Sequence, residues 1–333
     1  FQETVMKKEK KIIIDTDIGD DIDDAYAIAL AVRMRAFDIL GVTTVYRNSW
    51  QRAKIASALL GLLGREDVGV YAGEDYPRRE CFRVEEFEEK LPDGRPVIPH
   101  YSPAFADAPV REGNAAAFIA EQAEKYPGEI SVMAIGPFTN LAEAAEKYPS
   151  SFRKLSDIVC MGGSFAGCRA EWNIRCDPES AALVLETGVP MTFIGIDVTS
   201  YTYLDDRDVR AVTSGGGRAS AVLGGMLQKW MRTHPGRKPT MHDALTIAEA
   251  AGGGFCGYGR RRIRIPLGGE DRARTVFSDD PADPVVSYAT GVDREGFLRF
   301  FEGTLGGSGE GGDKLNYFKN ISDHPVIPEG GKE

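Results

Sequence analysis

The sequence predicts an α/β fold: an open, mostly parallel sheet flanked by helices, with additional C-terminal helices and a small β-hairpin. Three observations carry this. Short apolar runs alternate with longer helical segments from Lys11 to Ile196, and such alternation calls for right-handed crossovers between parallel strands. The runs are continuous, as in Ile12-Ile13-Ile14, which is the pattern of strands covered on both faces. Glycine, proline and aspartate cluster just after them, where sheets of this kind place their ligand crevices.

Lys11–Thr16 reads as the first strand and the alanine-rich Asp24–Met34 as the first helix. Asp38–Tyr46 is rich in β-branched residues and reads as strand two. Ser49–Leu63 follows as a helix with Ser49 as its N-cap, and Val68–Ala72 as a third strand. Gly73–Val110 carries Pro77, Pro92, Pro96, Pro99, Pro103 and Pro109 and is expected to be irregular. An irregular stretch that long is commonly a lid or a binding loop. Then come helix Asn114–Tyr126, strand Ile130–Ile135, helix Thr139–Tyr148, strand Asp157–Met161, helix Pro178–Glu186 and strand Met191–Ile196. Leu204–Ala250 reads as largely helical. Arg260–Pro266 and Ala273–Phe277 alternate like a hairpin, Val285–Ala289 is a further strand, and Asp293–Gly303 a final helix. The architecture is Rossmann-like. Residues 1–10 are expected to be a flexible N-terminus, with Phe1-Gln2 an artificial addition ahead of a natural start at Met6. Residues 11–305 are expected to form one catalytic domain and 306–333 a glycine-rich tail.

Composition excludes several classes. The net charge is −10, and no long basic cluster interleaved with aromatics occurs, which argues against a nucleic-acid partner. No apolar run is long enough to span a bilayer, so no membrane partner is expected. The five cysteines, Cys81, Cys160, Cys168, Cys176 and Cys256, are odd in number and contain no CxxC pair. Free thiols in a reducing compartment follow, and with no signal-peptide core a cytoplasmic location is expected. Cys160 reads as a small buried hydrophobe, and no base pairs with a cysteine to make a nucleophile.

The most informative segment is Asp15–Ile28, DTDIGDDIDDAYAI, with six aspartates within ten positions at the turn from strand one into helix one. Helix capping and the helix dipole account for one or two of them. The remainder repel one another unless a cation neutralises them, and oxygen-only ligands imply a hard ion, Ca²⁺ or Mg²⁺. Four more sites lie at predicted strand ends or helix starts: Asn48, Gly136-Pro137-Phe138-Thr139-Asn140, Met161-Gly162-Gly163 with Glu171-Trp172-Asn173 and Asp177-Pro178, and His242-Asp243. Each alone is ordinary. Asn48 fits a turn residue, Gly136-Pro137 punctuation before a helix, Trp172 core, and His242-Asp243 a helix start. Their order along one sheet edge gives them weight.

In that order the motifs resemble the nucleoside hydrolase family, the inosine-uridine-preferring nucleoside N-ribohydrolases. The opening signature is DTDIGDDIDDA, followed by GPFTN at Gly136–Asn140, MGG at Met161–Gly163, Glu171-Trp172-Asn173, Asp177–Ala181 and His242-Asp243. The resemblance implies hydrolysis of the N-glycosidic bond of a small-molecule ribonucleoside, and a homodimer or homotetramer. It implies Ca²⁺ held by Asp17, Asp24, Asp243 and the backbone carbonyl of Ile135, with Asp17 accepting the proton of the attacking water. Asp23, Asn48, Glu171 and Asn173 are the implied ribose contacts, with Met161 beside the sugar and Trp172 walling the pocket. Glu171 and Asn173, two apart, share a side if their segment is extended. His242 is either the acid for the departing base, a hydrogen-bond donor to it, or an orienting partner of Asp243.

The chain departs from the family in two places. Asp20, Asp21 and Ile22 separate Gly19 from Asp23-Asp24, where the common form has one residue. Alignment from the right assigns the family roles to Asp23 and Asp24, and alignment from the left gives one to Asp21. Gly73–Val110 lacks the His-Gly pair by which relatives contact the base, and holds Arg78, Arg79, Arg83, Arg95, His100 and Tyr101 instead. Met226–Pro239, with Trp230, His234, Arg237 and Lys238, is a segment placed to close over a substrate, although His100 and His234 read by default as solvated loop residues. Two other functions fit the first motif. One is a Mg²⁺-dependent phosphatase of the haloacid dehalogenase type, which the absence of a late acidic motif disfavours. The other is a ribosyl-binding sensor without turnover, which the retained Asp17, Asn173 and Asp243 disfavour.

Overall fold

The computed structural model describes residues 9–79, 90–167 and 169–306. The expectations for residues 1–8, Cys81, Arg83, Cys168 and the tail from residue 307 lie outside the described residues. The chain begins β1 Lys10–Thr16, α1 Asp23–Met34, β2 Phe37–Thr44, α2 Ser49–Leu62 and β3 Gly69–Ala72. It continues α3 Ala115–Lys125, β4 Ile130–Ala134, α4 Thr139–Lys147, α5 Pro149–Phe152 and β5 Asp157–Met161. Then follow α6 Trp172–Cys176, α7 Pro178–Leu185, β6 Met191–Ile194, α8 Ile196–Thr199, α9 Asp206–Thr213, α10 Arg218–Thr233 and α11 His242–Ala250. The chain closes with β7 Cys256–Arg264, β8 Val276–Phe277, β9 Val285–Val292 and α12 Arg294–Leu305.

The described strands form one nine-stranded sheet in the order β3-β2-β1-β4-β5-β6-β9-β7-β8. Pairing is parallel from β3 through β6 to β9, and β7 runs antiparallel to its two neighbours. The order reverses between β1 and β4, so their carboxyl ends open a crevice between outgoing loops. Period-two alternation divides β1 between two cores. Ile12 and Ile14 join the layer of α1, α2, α10, α11 and α12, while Ile13 joins the layer of α3, α4, α5 and α7. Helix α1 is buried from Asp23 to Ala31 because it is wedged between the sheet and α11 and α12. Its alanines permit that close approach, and Tyr26 meets Phe301 at 5.8 Å between ring centres.

The structure corrects several local expectations. Asn48, not Ser49, caps α2, accepting from Gln51 N at 3.1 Å, while the Ser49 hydroxyl donates to Gly73 O and Asp75. The hairpin is smaller than expected. Only Ile263 and Arg264 of β7 pair with β8, because β8 is itself two residues long, while β9 pairs along the other edge of β7. The described parts of 73–110 are irregular apart from a 3₁₀ turn at Pro103–Phe105. Among the described residues no helix is long and apolar enough to cross a membrane.

Ile14 sits fully buried on a strand hydrogen-bonded on both edges. Ile14→Ala should cost about 2–5 kcal/mol in urea denaturation; a loss under about 1 kcal/mol would mean this face repacks freely.

Candidate active site

The turn after β1 divides its aspartates by direction. Asp15 points away from the crevice into a buried network. Its Oδ1 accepts from Thr43 Oγ1 at 2.6 Å and from Asn140 Nδ2 at 2.7 Å. Asn140 also donates to Thr44 O and accepts from Glu74 N, so GPFTN latches β1, β2 and the turn after β3. The latch requires Gly73, where a Cβ would stand 2.1 Å from the Asn140 amide. Gly136 serves Asp17 likewise, since a Cβ there would meet Asp17 N at 2.8 Å.

Asp17, Asp23, Asp24 and Asp243 converge on one cleft of about 430 Å³. Each is buried. Carboxylate oxygens of Asp23, Asp24 and Asp243 lie within 4.8 Å of one another. Asp243, from the first turn of α11, donates its backbone N–H to Asp23 Oδ2 at 3.2 Å. Thr16 Oγ1 donates to Asp24 Oδ1 at 2.5 Å and fixes that carboxylate from β1. Burial, then mutual repulsion, pushes the carboxyl groups of Asp23, Asp24 and Asp243 well up. Burial raises Asp17 to about 7 against the pull of the Arg52 guanidinium. The Asp23, Asp24 and Asp243 set fits a hard divalent cation, whose oxygen ligands stand about 2.3–2.6 Å from the ion and therefore within about 5 Å of one another. The Ile135 carbonyl lines the same cleft.

The opposite wall comes from the segment after β5. Asn173 Nδ2 donates to Met161 O at 3.1 Å and to Ile135 O at 3.3 Å, tying the walls together. The segment expected to be extended is instead the start of a helix. Glu171 is the N-cap of α6, accepting from Asn173 N, Ile174 N and Gly163 N. Burial nevertheless raises Glu171 to about 7. Glu171, Asn173 and Met161 all line the cleft, and Trp172, 43% exposed, edges it. Asn48 stands apart. It is fully buried, capping α2 and donating to Pro96 O at 3.0 Å, and is not among the cleft residues. His242 lines the cleft with its Nδ1 2.7 Å from Thr199 Oγ1, and burial lowers it to about 4, leaving a neutral imidazole at pH 7. Both Asp20 and Asp21 also reach the cleft.

Four lining residues lie outside the motifs: Ile196, and Trp230, His234 and Arg237 from the segment expected to close over a substrate. Trp230 and His234, one helical turn apart, stack at 4.5 Å with ring planes 15° from parallel. Their spacing was the available signal. Neither loop histidine is simply solvated: His234 is half-buried against Trp230, and His100 is buried and lowered by that burial to about 4. Arg52, unmarked in sequence, is the bulkiest fully buried side chain described. Cys160, Cys176 and Cys256 form no disulfide among the described residues, and burial pushes each thiol up, away from nucleophilic reactivity.

The raised acids carry a sign. Asp15, Asp17 and Glu171 titrate at about 7 in the folded chain, against about 4 when unfolded. The cation-free fold then binds more protons than the unfolded chain, so this contribution is full below about pH 4 and lost as pH rises through about 7. Melting temperatures in chelator should fall across that window, and a divalent cation should lessen the fall by the share of Asp17. A chelated protein whose melting temperature climbs from about pH 5 to 7 would contradict the assignment.

Comparison with known proteins supplies the family. Residues 12–299 match the model of the inosine-uridine preferring nucleoside hydrolases. Uridine nucleosidase 1 of Arabidopsis thaliana is 30% identical over 323 residues, covering 90% of this chain and 94% of that protein. The pyrimidine-specific ribonucleoside hydrolase RihA of Shewanella sp. (strain ANA-3) is 29% identical, over 87% of this chain and 94% of its own. Among solved structures, the plant nucleoside hydrolase PpNRh1 superposes with a TM-score of 0.78 at 26% identity, over 89% of this chain and 99% of that one. A purine-preferring ribonucleoside hydrolase from Gardnerella vaginalis gives 0.72 at 26% identity, over 89% and 98%. The chain belongs to the inosine-uridine preferring nucleoside hydrolase family.

Proposed function

We propose that this ribonucleoside hydrolase cleaves the N-glycosidic bond of a ribonucleoside in a Ca²⁺-dependent reaction, and that a pyrimidine nucleoside is its substrate. The observation that carries the reading is the convergence of Asp23, Asp24 and Asp243 within 4.8 Å. Asp17 and the Ile135 carbonyl line the same cleft. Full-length relatives named for uridine and for pyrimidines support the choice of base. Asp17, Asp24, Asp243 and the Ile135 carbonyl would hold the ion, with Asp23 completing the cluster. When bound, Ca²⁺ supplies a Lewis acid that acidifies water and anchors the ribose hydroxyls.

Asp17 takes the proton of the attacking water. The water oxygen bonds to the anomeric carbon as the bond to the base nitrogen breaks, through an oxocarbenium-like transition state. The base leaves with that electron pair and takes its proton from solvent, the proton on Asp17 returns to solvent, and ribose is the second product. Asp23 and Asn173 contact the ribose hydroxyls. Glu171 uses its oxygens on backbone N–H groups and so shapes the wall on which Asn173 sits. Asn48 acts at one remove, through the cap of α2. Met161 packs beside the sugar. Trp172 walls the open end, and Trp230 with His234 faces the leaving base. His242, neutral at pH 7, gives the base a hydrogen bond rather than a proton.

Hydrolysis of inosine, adenosine, guanosine, uridine, cytidine and nicotinamide riboside, read as reducing sugar with Ca²⁺ and with chelator, tests the reaction. Uridine or cytidine should turn over only with the ion; binding without turnover across the set would make the protein a ribosyl sensor. Asp243→Ala should abolish Ca²⁺ binding and activity together, and tight Ca²⁺ binding by that variant would remove it from the ligand set. His242→Ala should slow uridine about 10²-fold while sparing an activated p-nitrophenyl riboside. Equal losses on the two substrates would deny it a leaving-group role.

A further inference from the structure

The acidic loop between β1 and α1 has few hydrogen bonds of its own, yet it aims Asp17 into the cleft. The carbonyls of Asp17 and Ile18 both accept from one group, Nη1 of the buried Arg52 on the first turns of α2. The same guanidinium donates through Nε to Tyr46 O at 2.8 Å and through Nη2 to Asp20 Oδ2 at 2.7 Å. Its side chain has no solvent exposure. One planar fork therefore holds two loops. The second is the turn after β2, where Tyr46 and Arg47 take φ values of 77° and 62°. Two successive non-glycine residues in the left-handed region persist only where their surroundings over-determine them. From the other side, His100 N donates to Gly19 O at 3.0 Å. Ile98 packs where a Gly19 Cβ would stand, 2.4 Å from its Cγ2.

We infer that Arg52 is a positioning residue for catalysis: by clamping the Asp17 and Ile18 carbonyls to the Tyr46 turn, it fixes the direction of the Asp17 carboxylate relative to Asp24 and Asp243. The inference rests on the reading of Asp17 given above. Arginine suits the role because its donors lie in a rigid plane with fixed angles; a lysine at the same place offers a point charge on a flexible stem and cannot hold carbonyls from both loops in register. Burial alone is explained equally well by a role in folding. The distinguishing feature is that all four acceptors belong to the loop carrying Asp17 or to the turn beside it, and none to a helix or to the far layer.

The test compares wild type, Arg52→Lys and Arg52→Gln. Each is stripped with chelator, titrated with Ca²⁺ by calorimetry, assayed on uridine with Ca²⁺ restored, and melted by circular dichroism. The expected result is cooperative melting in at least one variant, with Ca²⁺ affinity and kcat each falling about 10- to 100-fold and KM changing little. A folded Arg52→Lys with wild-type affinity and kcat would overturn the inference. So would a failure of both variants to fold, since Arg52 would then hold the fold rather than the site. Wild type in the same series separates the two claims. If it neither binds Ca²⁺ nor releases ribose, the functional reading fails, whereas wild-type-like behaviour of the variants fails only the role of Arg52.

Discussion

The structure turns on the crowding of buried carboxylates at the end of β1. Asp17, Asp23, Asp24 and Asp243 share one cleft almost without solvent. Taking ionised groups out of water is costly, and placing like charges side by side adds to the cost. Without a counter-charge the group stays partly protonated, as the raised values of these acids describe. A divalent cation turns the same arrangement from a liability into a binding site, because its charge rewards the ionised form that burial penalises.

The rest of the fold supports that loop. The reversal of strand order between β1 and β4 opens the crevice, and Gly136 lets the β4 turn approach Asp17 without a side chain between them. Asn140 ties β1 and β2 to the β3 turn through Asp15, and Asn173 bridges the carbonyls of Met161 and Ile135. Helix α11 delivers Asp243 against α1, so the acids arrive on separate elements whose packing fixes their spacing. The acids stand in the loop after β1 and at the starts of α1 and α11, and hydrogen bonds from the surrounding layers hold them in place.

How much of this was legible follows the physics of each signal. The central strands are readable because runs such as Ile12-Ile13-Ile14 are short, β-branched and followed by turn residues, which sets them apart from buried helix. The acid cluster was readable because six aspartates in ten positions exceed what caps explain. Ser49 was mistaken for the cap because Asn48 beside it is an equally good one, and only tertiary contacts with Gly73 and Asp75 decide between them. Glu171-Trp172-Asn173 looked extended because a five-residue helix has too few positions to show a period. Arg52 left no mark, since an arginine on a helix reads as solvated until the acceptors above it are known. His234 reads as a loop residue because it lies just past the end of α10 at Thr233, and only its four-residue spacing from Trp230 hints at the stacking.

The measurement that bears most directly on this account is calorimetric titration of the chelator-stripped protein with Ca²⁺ at pH 7, repeated in two buffers of different ionisation enthalpy. The difference between them counts the protons released on binding. Buried carboxylates held partly protonated until the ion arrives predict one Ca²⁺ per chain with net proton release. Binding without proton release, or no saturable binding, would contradict the claim that this cluster is tuned by burial to take a cation.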